Sequence, residues 1–370
     1  MIEPRDHILL GAPGALGLWV FDLVRQLVPL SRSRKPATFF VERTENIPPL
    51  PAGAEGRILL CHYPNAQIVK AISTSHAQVT YISEPAQQVA EFLVRETGRT
   101  PIEAVRVCSA SYVANLALRY LDDAAMIERS LPRSALQIAS SLSARFGLDE
   151  SADDRMKLVD RFTGGRSNEP LDVAVDSYRG TKAKDETDAA QHDSANLQHL
   201  VTSILVPMHD MAFVDAPPAI IWPAECFYLA DGPDAKKMAS SNAFIELTGP
   251  SRMLFHGPYL HLPAAKYRAA ITLDVRDFAN DSIFRVDVSC GATKVGHFRL
   301  VPRKPGPAMA EFEFEVVDPI PEIQTQLIAE RGAIFGQIKL GRLMLTPITA
   351  ASLERRTTPP PDDIMRACAR

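Results

Sequence analysis

The spacing of apolar residues changes once along the chain. Over residues 1–162 short apolar runs alternate with stretches of helical spacing. Runs at 7–10, 38–41, 57–61 and 78–82 read as strands. Apolar positions three and four apart predict helices over 18–27, 88–97, 112–120 and 134–146. Such alternation predicts an α/β domain with a mostly parallel sheet. Pro48, Pro49, Pro51 and Gly53 mark a loop between the second and third strands. From Ala219 onward the period is two. Phe244-Ile-Glu-Leu, the run 267–275, Phe284-Arg-Val-Asp-Val, Phe312-Glu-Phe-Glu-Val and Gln337-Ile-Lys-Leu alternate apolar with polar residues. Each is short and bounded by Gly, Pro, Asp or Asn, the pattern of an antiparallel β-sandwich.

Between the two patterns lies 163–192, rich in Gly, Ser, Asn, Asp, Lys and Thr and poor in apolar residues. That composition reads as a linker or mobile loop. Helical spacing returns over 196–211 through Leu197, Leu200, Ile204 and Leu205. The expected organisation is an α/β domain over 1–162, a linker and connecting helix over 163–215, a β-sandwich over 216–350 and a flexible tail over 351–370.

Composition narrows the function classes. A chain of 370 residues is long enough for two separate cores. With 46% hydrophobic and 23% charged residues it has an ordinary globular balance. A net charge of −4 supplies no general attraction for nucleic acid or a membrane surface, so neither partner is expected. No window reaches the roughly 18 uninterrupted apolar residues of a membrane span. Glu3, Arg5, Asp6 and His7 ahead of a short apolar run do not read as a signal peptide. Cysteines 61, 108, 226, 290 and 368 are far apart, with no CxxC or Cys/His cluster. They imply reduced thiols, a cytoplasmic location and no bound metal.

Candidate chemistry begins at Gly11-Ala-Pro13-Gly14-Ala15-Leu-Gly17-Leu-Trp19, between a predicted strand and a predicted helix. Strand, glycine turn and helix in that order aim backbone N–H groups at an anion. Such loops normally add a Lys or Arg and a Ser or Thr hydroxyl, and residues 11–19 contain neither.

Three landmarks in order give the first domain a resemblance to the sulfotransferases that use 3′-phosphoadenosine 5′-phosphosulfate. The family's first loop reads roughly G-x-P-[RK]-S-G-T-T-W, and Gly11, Pro13 and Trp19 match its glycine, proline and tryptophan. Leu60-Cys-His62-Tyr-Pro64 resembles the strand end K-T-H-x-P. Tyr81-Ile-Ser83-Glu84-Pro85-Ala-Gln87 resembles the strand end R-D-P-x-D. The resemblance covers residues 5–162. It implies a donor site at Gly11, Pro13, Gly14, Ala15, Gly17, Trp19 and Ser83, with His62 as the base that deprotonates the acceptor hydroxyl.

The departures from the family are chemical. Gly14 stands where the family has Arg or Lys, Ala15 where it has Ser, and Gly17 and Leu18 where it has Thr. Ser83 replaces the arginine for the 3′-phosphate, Glu91 the downstream serine, and Leu60 the lysine before the histidine. Each lost charge-assisted contact costs roughly 1.5–3 kcal/mol, so the donor site is expected to be degenerate and no cofactor is expected. Arg25, Lys35, Arg43 and Arg106 are cations that could approach from outside the motif. His62 has a bland reading as well, a strand-end cap bonded to a carbonyl. Cys108-Ser-Ala-Ser111 could be a nucleophile turn but reads better as a helix cap. Asp122, Asp123, Asp153 and Asp154 read as acids at helix starts.

In the β-rich part, Leu254-Phe-His256-Gly-Pro258-Tyr-Leu-His261-Leu-Pro263 and Tyr267 resemble the G-P-Y-hydrophobic-x-L-P-x-G-x-Y/W stretch of a β-sandwich module. Similar modules accompany glycosyltransferase-like and sulfotransferase-like proteins of rhizobia and related bacteria. The resemblance implies an architecture similar to carbohydrate-binding jelly rolls, though a shared sandwich does not fix a ligand. Trp222, His256, Tyr259 and His261 are candidate sugar-facing rings, with Phe227, Tyr228 and Tyr267 nearby in sequence. His256 and His261 with Asp231 or Asp234 form an alternative metal set, without tight spacing.

Three functions follow as expectations. The first is a non-catalytic sulfotransferase-like scaffold with a glycan-binding sandwich, acting in surface-polysaccharide assembly or recognition. The second is an active sulfotransferase or related transferase modifying a carbohydrate, with His62 as base. The third is a structural protein that docks a protein partner. An open, basic cleft at residues 11–19 favours the second, and a cleft filled by side chains favours the third.

Overall fold

The computed structural model describes residues 2–3, 5–33, 35–41, 46–75, 77–116, 124–178, 188–210, 218–230, 238–239, 242–277 and 282–348. Arg43, Asp122, Asp123, Asp231, Asp234, Cys368 and the tail expected over 351–370 lie outside them. The chain forms two compact units, Met1–Ala212 and Phe213–Arg370.

The first unit is built on β1 (His7–Gly11), β2 (Ala37–Phe40), β3 (Arg57–Cys61), β4 (Gln78–Ser83) and β5 (Ala125–Glu128), ordered β2-β3-β1-β4-β5. All four pairings are parallel. Every residue of β1 and β3 is buried, as continuous apolar runs in a parallel sheet covered on both faces should be. On one face Leu9, Ile58, Leu60, Ile82 and Ile127 share a core with α1 (Ala15–Leu27), α5 (Ala135–Phe146), α6 (Ala152–Phe162) and α7 (Leu171–Tyr178). On the other, Ile8, Leu10, Leu59 and Val79 pack with Ile68 and Ile72 of α2 (Ala66–Ser75). Helices α3 (Ala86–Thr97) and α4 (Pro101–Leu116) pack together, and α8 (Asp188–Leu200), a π-helical stretch Val201–Leu205 and α9 (Val206–Asp210) lie on them.

Several elements differ from the pattern read above. Helix α4 begins at Pro101, so Cys108, Ser109 and Ser111 sit inside it and cap nothing. Proline at the first helical position costs no hydrogen bond, and the hydroxyls are absorbed within the fold. Ser109 Oγ donates to Arg106 O at 2.8 Å and Ser111 Oγ to His62 O at 2.7 Å. Asp153 and Asp154 do occupy the first turn of α6, behind the N-cap Ser151. Residues expected to link the domains supply α7, whose Leu171, Ala174 and Val175 are buried in the core with α1. Sparse apolar residues at i, i+3 and i+4 suffice to seat a short helix.

The second unit has two five-stranded sheets, antiparallel throughout their named pairings. One contains β6 (Ile220–Pro223), β8 (Ile245–Glu246), β10 (Ala265–Arg276), β13 (Gly306–Val316) and β15 (Gln337–Pro347). The other runs β12 (Thr293–Leu300), β11 (Phe284–Cys290), β14 (Ile323–Ala329), β9 (Arg252–Leu260) and β7 (Tyr228–Leu229). The α/β unit and the antiparallel sandwich expected from sequence are both present. Gln337-Ile-Lys-Leu and Leu343-Met-Leu merge into the single strand β15, with Gly341 as the extra residue of a bulge opposite Thr272 and Leu273. A Cβ there would lie 3.3 Å from Thr272 O, so glycine suits the position. Tyr267 is fully buried and stacks on Phe314 at 5.7 Å, which makes it a core residue.

Candidate functional site

In an open parallel sheet, ligands bind beyond the carboxyl ends of the strands where the order reverses. Here that place lies beyond β1, flanked by the ends of β3 and β4. The three motif segments converge on it: the glycine turn follows β1, His62 follows β3, and Glu84 follows β4. The turn is tight, with Gly14 N donating to Ala12 O at 2.8 Å. Gly14 is the N-cap of α1 and makes no side-chain cap bond, so this helix end needs an acceptor from elsewhere.

The acceptor is the protein's own carboxylate. Glu84 is buried, and its Oε2 accepts the Leu16 N–H at 3.1 Å. Its Oε1 is paired with the buried Arg129 guanidinium, which also holds Asp176 of α7. Arg129 follows β5 directly, and its N–H donates to Ser83 O at 3.1 Å, extending the β4–β5 ladder until it lies beside Glu84. Burial pushes the Glu84 carboxyl above the ordinary carboxylate range, against the opposing pull of Arg129 and the Leu16 N–H. A Cβ on Gly14 would collide with Glu84 Oε2 and lie 3.1 Å from Val89 Cγ2. The loop's missing side chain makes room for a glutamate. Glu84 lies within the third motif segment, which assigns it no role, and Arg129 lies outside every motif, 45 residues further on and after a strand β5 too short to stand out.

His62 is also buried, and its Nδ1 lies 2.9 Å from Gly11 O. A carbonyl only accepts, so this nitrogen carries the proton and Nε2 is left as the acceptor. Ser111 Oγ and Asn115 Nδ2 fix the His62 carbonyl from α4, at 2.7 and 3.3 Å. Phe40 meets the ring edge-on with centroids 5.2 Å apart. Burial lowers the pKa to about 4, opposed by the Gly11 bond. Such a group is neutral at pH 7 and a far weaker base than one tuned near neutrality.

The remaining expected donor-site residues have differing surroundings. Gly11, Gly14 and Gly17 are buried by close neighbours, Gly11 against Ile82 O at 2.7 Å and Gly17 against Ala12 O at 3.2 Å from a notional Cβ. Pro13 and Ala15 are half-buried on the turn. Trp19, expected at the donor, is buried in the core 5.6 Å from Phe162, so its ring is committed to packing. Ser83 lines a cavity of ≈ 200 Å³ with Pro85, Ala86, Glu128, Ser130 and His209, which none of the glycine-turn residues line. Glu91 is exposed on α3 and accepts from Gln87 Nε2 at 2.7 Å, so it opposes no phosphate. Arg25 pairs with Asp22 in the last turns of α1. Cys108 is fully buried, and burial raises its thiol pKa, the opposite of nucleophile activation.

In the sandwich, the expected rings divide. Trp222 is fully buried on β6, so its large face meets the core and no sugar. His256 and Tyr259 are half-buried on β9. Tyr228 stacks on His256 at 5.5 Å, His256 Nδ1 lies 2.7 Å from Tyr259 Oη, and Gln324 Nε2 donates to that hydroxyl at 3.1 Å. Tyr259 adopts φ 62°, a left-handed conformation that non-glycine residues hold at a cost. His261 is half-buried, and burial lowers its pKa. No group of three or more His, Cys, Asp or Glu among the described residues could hold a metal ion.

Strand register extends this cluster across a whole sheet. His297, Asp287, Gln326, His256 and Tyr228 are successive partners on β12, β11, β14, β9 and β7. All are half-buried or exposed except Asp287, which is held by Lys294 Nζ at 3.0 Å and His297 Nδ1 at 2.8 Å. The alternate residues Val286, Val288, Thr325 and Leu327 are buried, so the row lies on the outer face of this sheet.

No protein-family model and no curated protein sequence matches the chain. Among solved structures it is similar to mouse sulfotransferase SULT7A1 complexed with PAP, at 11% identity and TM-score 0.33, over 55% of this chain and 88% of that one. It is also similar to the CBM36-1 domain of a multidomain xylanase from the hindgut metagenome of Trinervitermes trinervoides, at 13% identity and TM-score 0.24, over 36% of this chain and 100% of that one. The C-terminal CBM6 of LamC, a marine laminarinase from Zobellia galactanivorans, is similar at 16% identity and TM-score 0.25, over 35% of this chain and 99% of that one. No helix among the described residues is long and apolar enough to cross a membrane.

Proposed function

We propose that this chain is a non-catalytic carbohydrate-recognition protein of surface-polysaccharide assembly or recognition. Its α/β unit is a scaffold without a sulfuryl donor, and its sandwich carries the sugar site. The observation that carries this reading is Glu84 seated on the N-terminus of α1. A donor with two phosphates and a sulfate needs fixed cations and donors there. The guanidinium beside Glu84, Arg129, is already paired with two carboxylates. A carboxylate occupies the ground a phosphate would need, so the residues present do not fit the donor and no sulfuryl-transfer step is derived. The low pKa of His62 weighs in the same direction.

The sugar half rests on the row of Tyr228, His256, Tyr259, Gln324 and Gln326. Its tyrosine and histidine rings offer apolar faces with polar tips, and its amides offer both donors and acceptors. A purely structural reading is favoured by the same Glu84 observation, and two measurements separate the possibilities. Calorimetry with 3′-phosphoadenosine 5′-phosphate is expected to show no binding, and micromolar affinity would overturn the scaffold role. The full chain on an array of neutral and acidic glycans is expected to bind, with loss in Tyr228→Ala. A silent array would leave the structural, protein-docking reading in its place.

A further inference from the structure

We infer that the sandwich site selects acidic sugars, through a basic pocket on the same sheet face as the aromatic row. This deepens the carbohydrate reading above and rests on it. The pocket encloses ≈ 390 Å³ and is lined by Ser251, Ile283, Arg285, Arg299, Ile328, Glu330 and Arg331. Arg285 of β11 is paired in register with Arg299 of β12 and Ile328 of β14. It is two residues from Asp287, so it projects from the same face as the row containing His256 and Tyr228.

Charge at this place is unbalanced. Arg285, Lys294 and Arg299 share two carboxylates, Asp287 and Glu330, among the ion pairs of the patch. Glu330 is shared, lying 3.0 Å from Arg299 Nε and 3.7 Å from Arg285 Nη1. Asp287 is shared likewise, 3.2 Å from Arg285 Nε and 3.0 Å from Lys294 Nζ. Shared carboxylates orient the guanidinium groups without neutralising the patch. Arginine forks match the planar geometry of carboxylate and sulfate oxygens. The whole chain is net negative at −4, so a local positive excess is not a reflection of overall composition.

Distance joins the pocket to the rings. Arg285 is two strands from His256 and about one pleat repeat along, roughly 10 Å across and 7 Å along the sheet by standard spacings. A short oligosaccharide can therefore rest one ring on Tyr228 and His256 while presenting an oxyanion to Arg285 and Arg299. The chemical class is a sugar bearing a carboxylate or a sulfate ester.

The test uses the full chain and matched probes: oligogalacturonate against its methyl ester, and dextran sulfate oligosaccharide against dextran oligosaccharide of equal length. At least one acidic probe is expected to bind tenfold or more tightly than its neutral match. Arg299→Gln with Arg331→Gln is expected to remove most of that preference. Arg299 is two-thirds exposed, so its substitution leaves the fold intact, checked by an unchanged melting temperature. Equal binding of neutral and acidic probes overturns acid selectivity while leaving sugar recognition standing. Acidic preference that survives the double variant overturns the assigned pocket. Inorganic sulfate binding as tightly as the oligosaccharides reduces the pocket to an ion site and overturns the inference. No binding by any probe, with a silent neutral array, overturns both readings.

Discussion

His62 stands at a motif position in an environment unsuited to proton abstraction. Its Nδ1 is held by Gly11 O and burial brings its pKa to about 4. The unfolded chain takes up a proton near pH 6.5, whereas the folded chain resists until about pH 4. Stability from the neutral ring is therefore complete above pH 6.5 and declines as pH falls, by about 3 kcal/mol in total. Glu84 acts in the opposite sense. Its raised folded pKa makes its contribution more favourable as pH falls through that value. Urea unfolding of wild type and His62→Asn at pH 7 and pH 4 isolates the histidine, and the variant is expected to lose less stability on acidification. Equal losses would show that the ring protonates freely in the folded state. The motif spacing placed His62 at a strand end, but only the fold revealed which carbonyl it meets and how little water reaches it.

Among the elements, β1 and β3 are tied by a buried pair at their amino ends. Arg57 Nη2 lies 2.6 Å and Nε 3.0 Å from the Asp6 carboxylate, which also accepts the Arg57 backbone N–H at 3.2 Å. Removing Asp6 takes from the buried Arg57 its buried carboxylate, so Asp6→Ala is expected to cost about 3–5 kcal/mol. The capping box of α5, Ser134 with Gln137, makes a smaller contribution, and Ser134→Ala is expected to cost about 1 kcal/mol. Denaturant titration checks both, and similar losses for the two variants would contradict the burial argument. At this scale much of the fold was legible. Ile8, Leu9 and Leu10 announced a doubly covered strand, and the alternation in 312–316 announced a half-covered one. What stayed hidden has a common cause. Helix α4 spans hydroxyl-rich Cys108–Ser111, whose polarity imitates a boundary until Ser111 is seen bonding to His62 O. Strand β5 is four residues with two of them polar or exposed, and α7 buries three apolar positions in the core with α1.

For the molecule as a whole, electrostatics separates the expected ligands. A chain of net charge −4 repels an acidic polysaccharide at long range, so attraction must come from the local arginines. Screening shortens both effects, with a Debye length of about 8 Å at physiological ionic strength. Affinity for an acidic oligosaccharide is expected to fall severalfold between about 0.05 and 0.5 M salt, while that for a neutral one changes little. Salt-independent binding of both would place the contacts on the tyrosines alone. The sequence supplied the candidate rings, and His256 and Tyr259 do lie on a half-open face. Trp222 went the other way, because period-two alternation does not say which face of a strand meets the core.

Gly14 has a consequence for how this fold can change. A lysine or arginine there, which a phosphate site would require, drives its Cβ into Glu84. Removing Glu84 first leaves Arg129 buried with Asp176 alone, a loss of about 3 kcal/mol. Each step toward an anion-binding loop is unfavourable without the other, so the two substitutions should be strongly non-additive in a double-mutant cycle. A missing side chain and a borrowed charge thus depend on each other, and a change at either one is costly while the other stays.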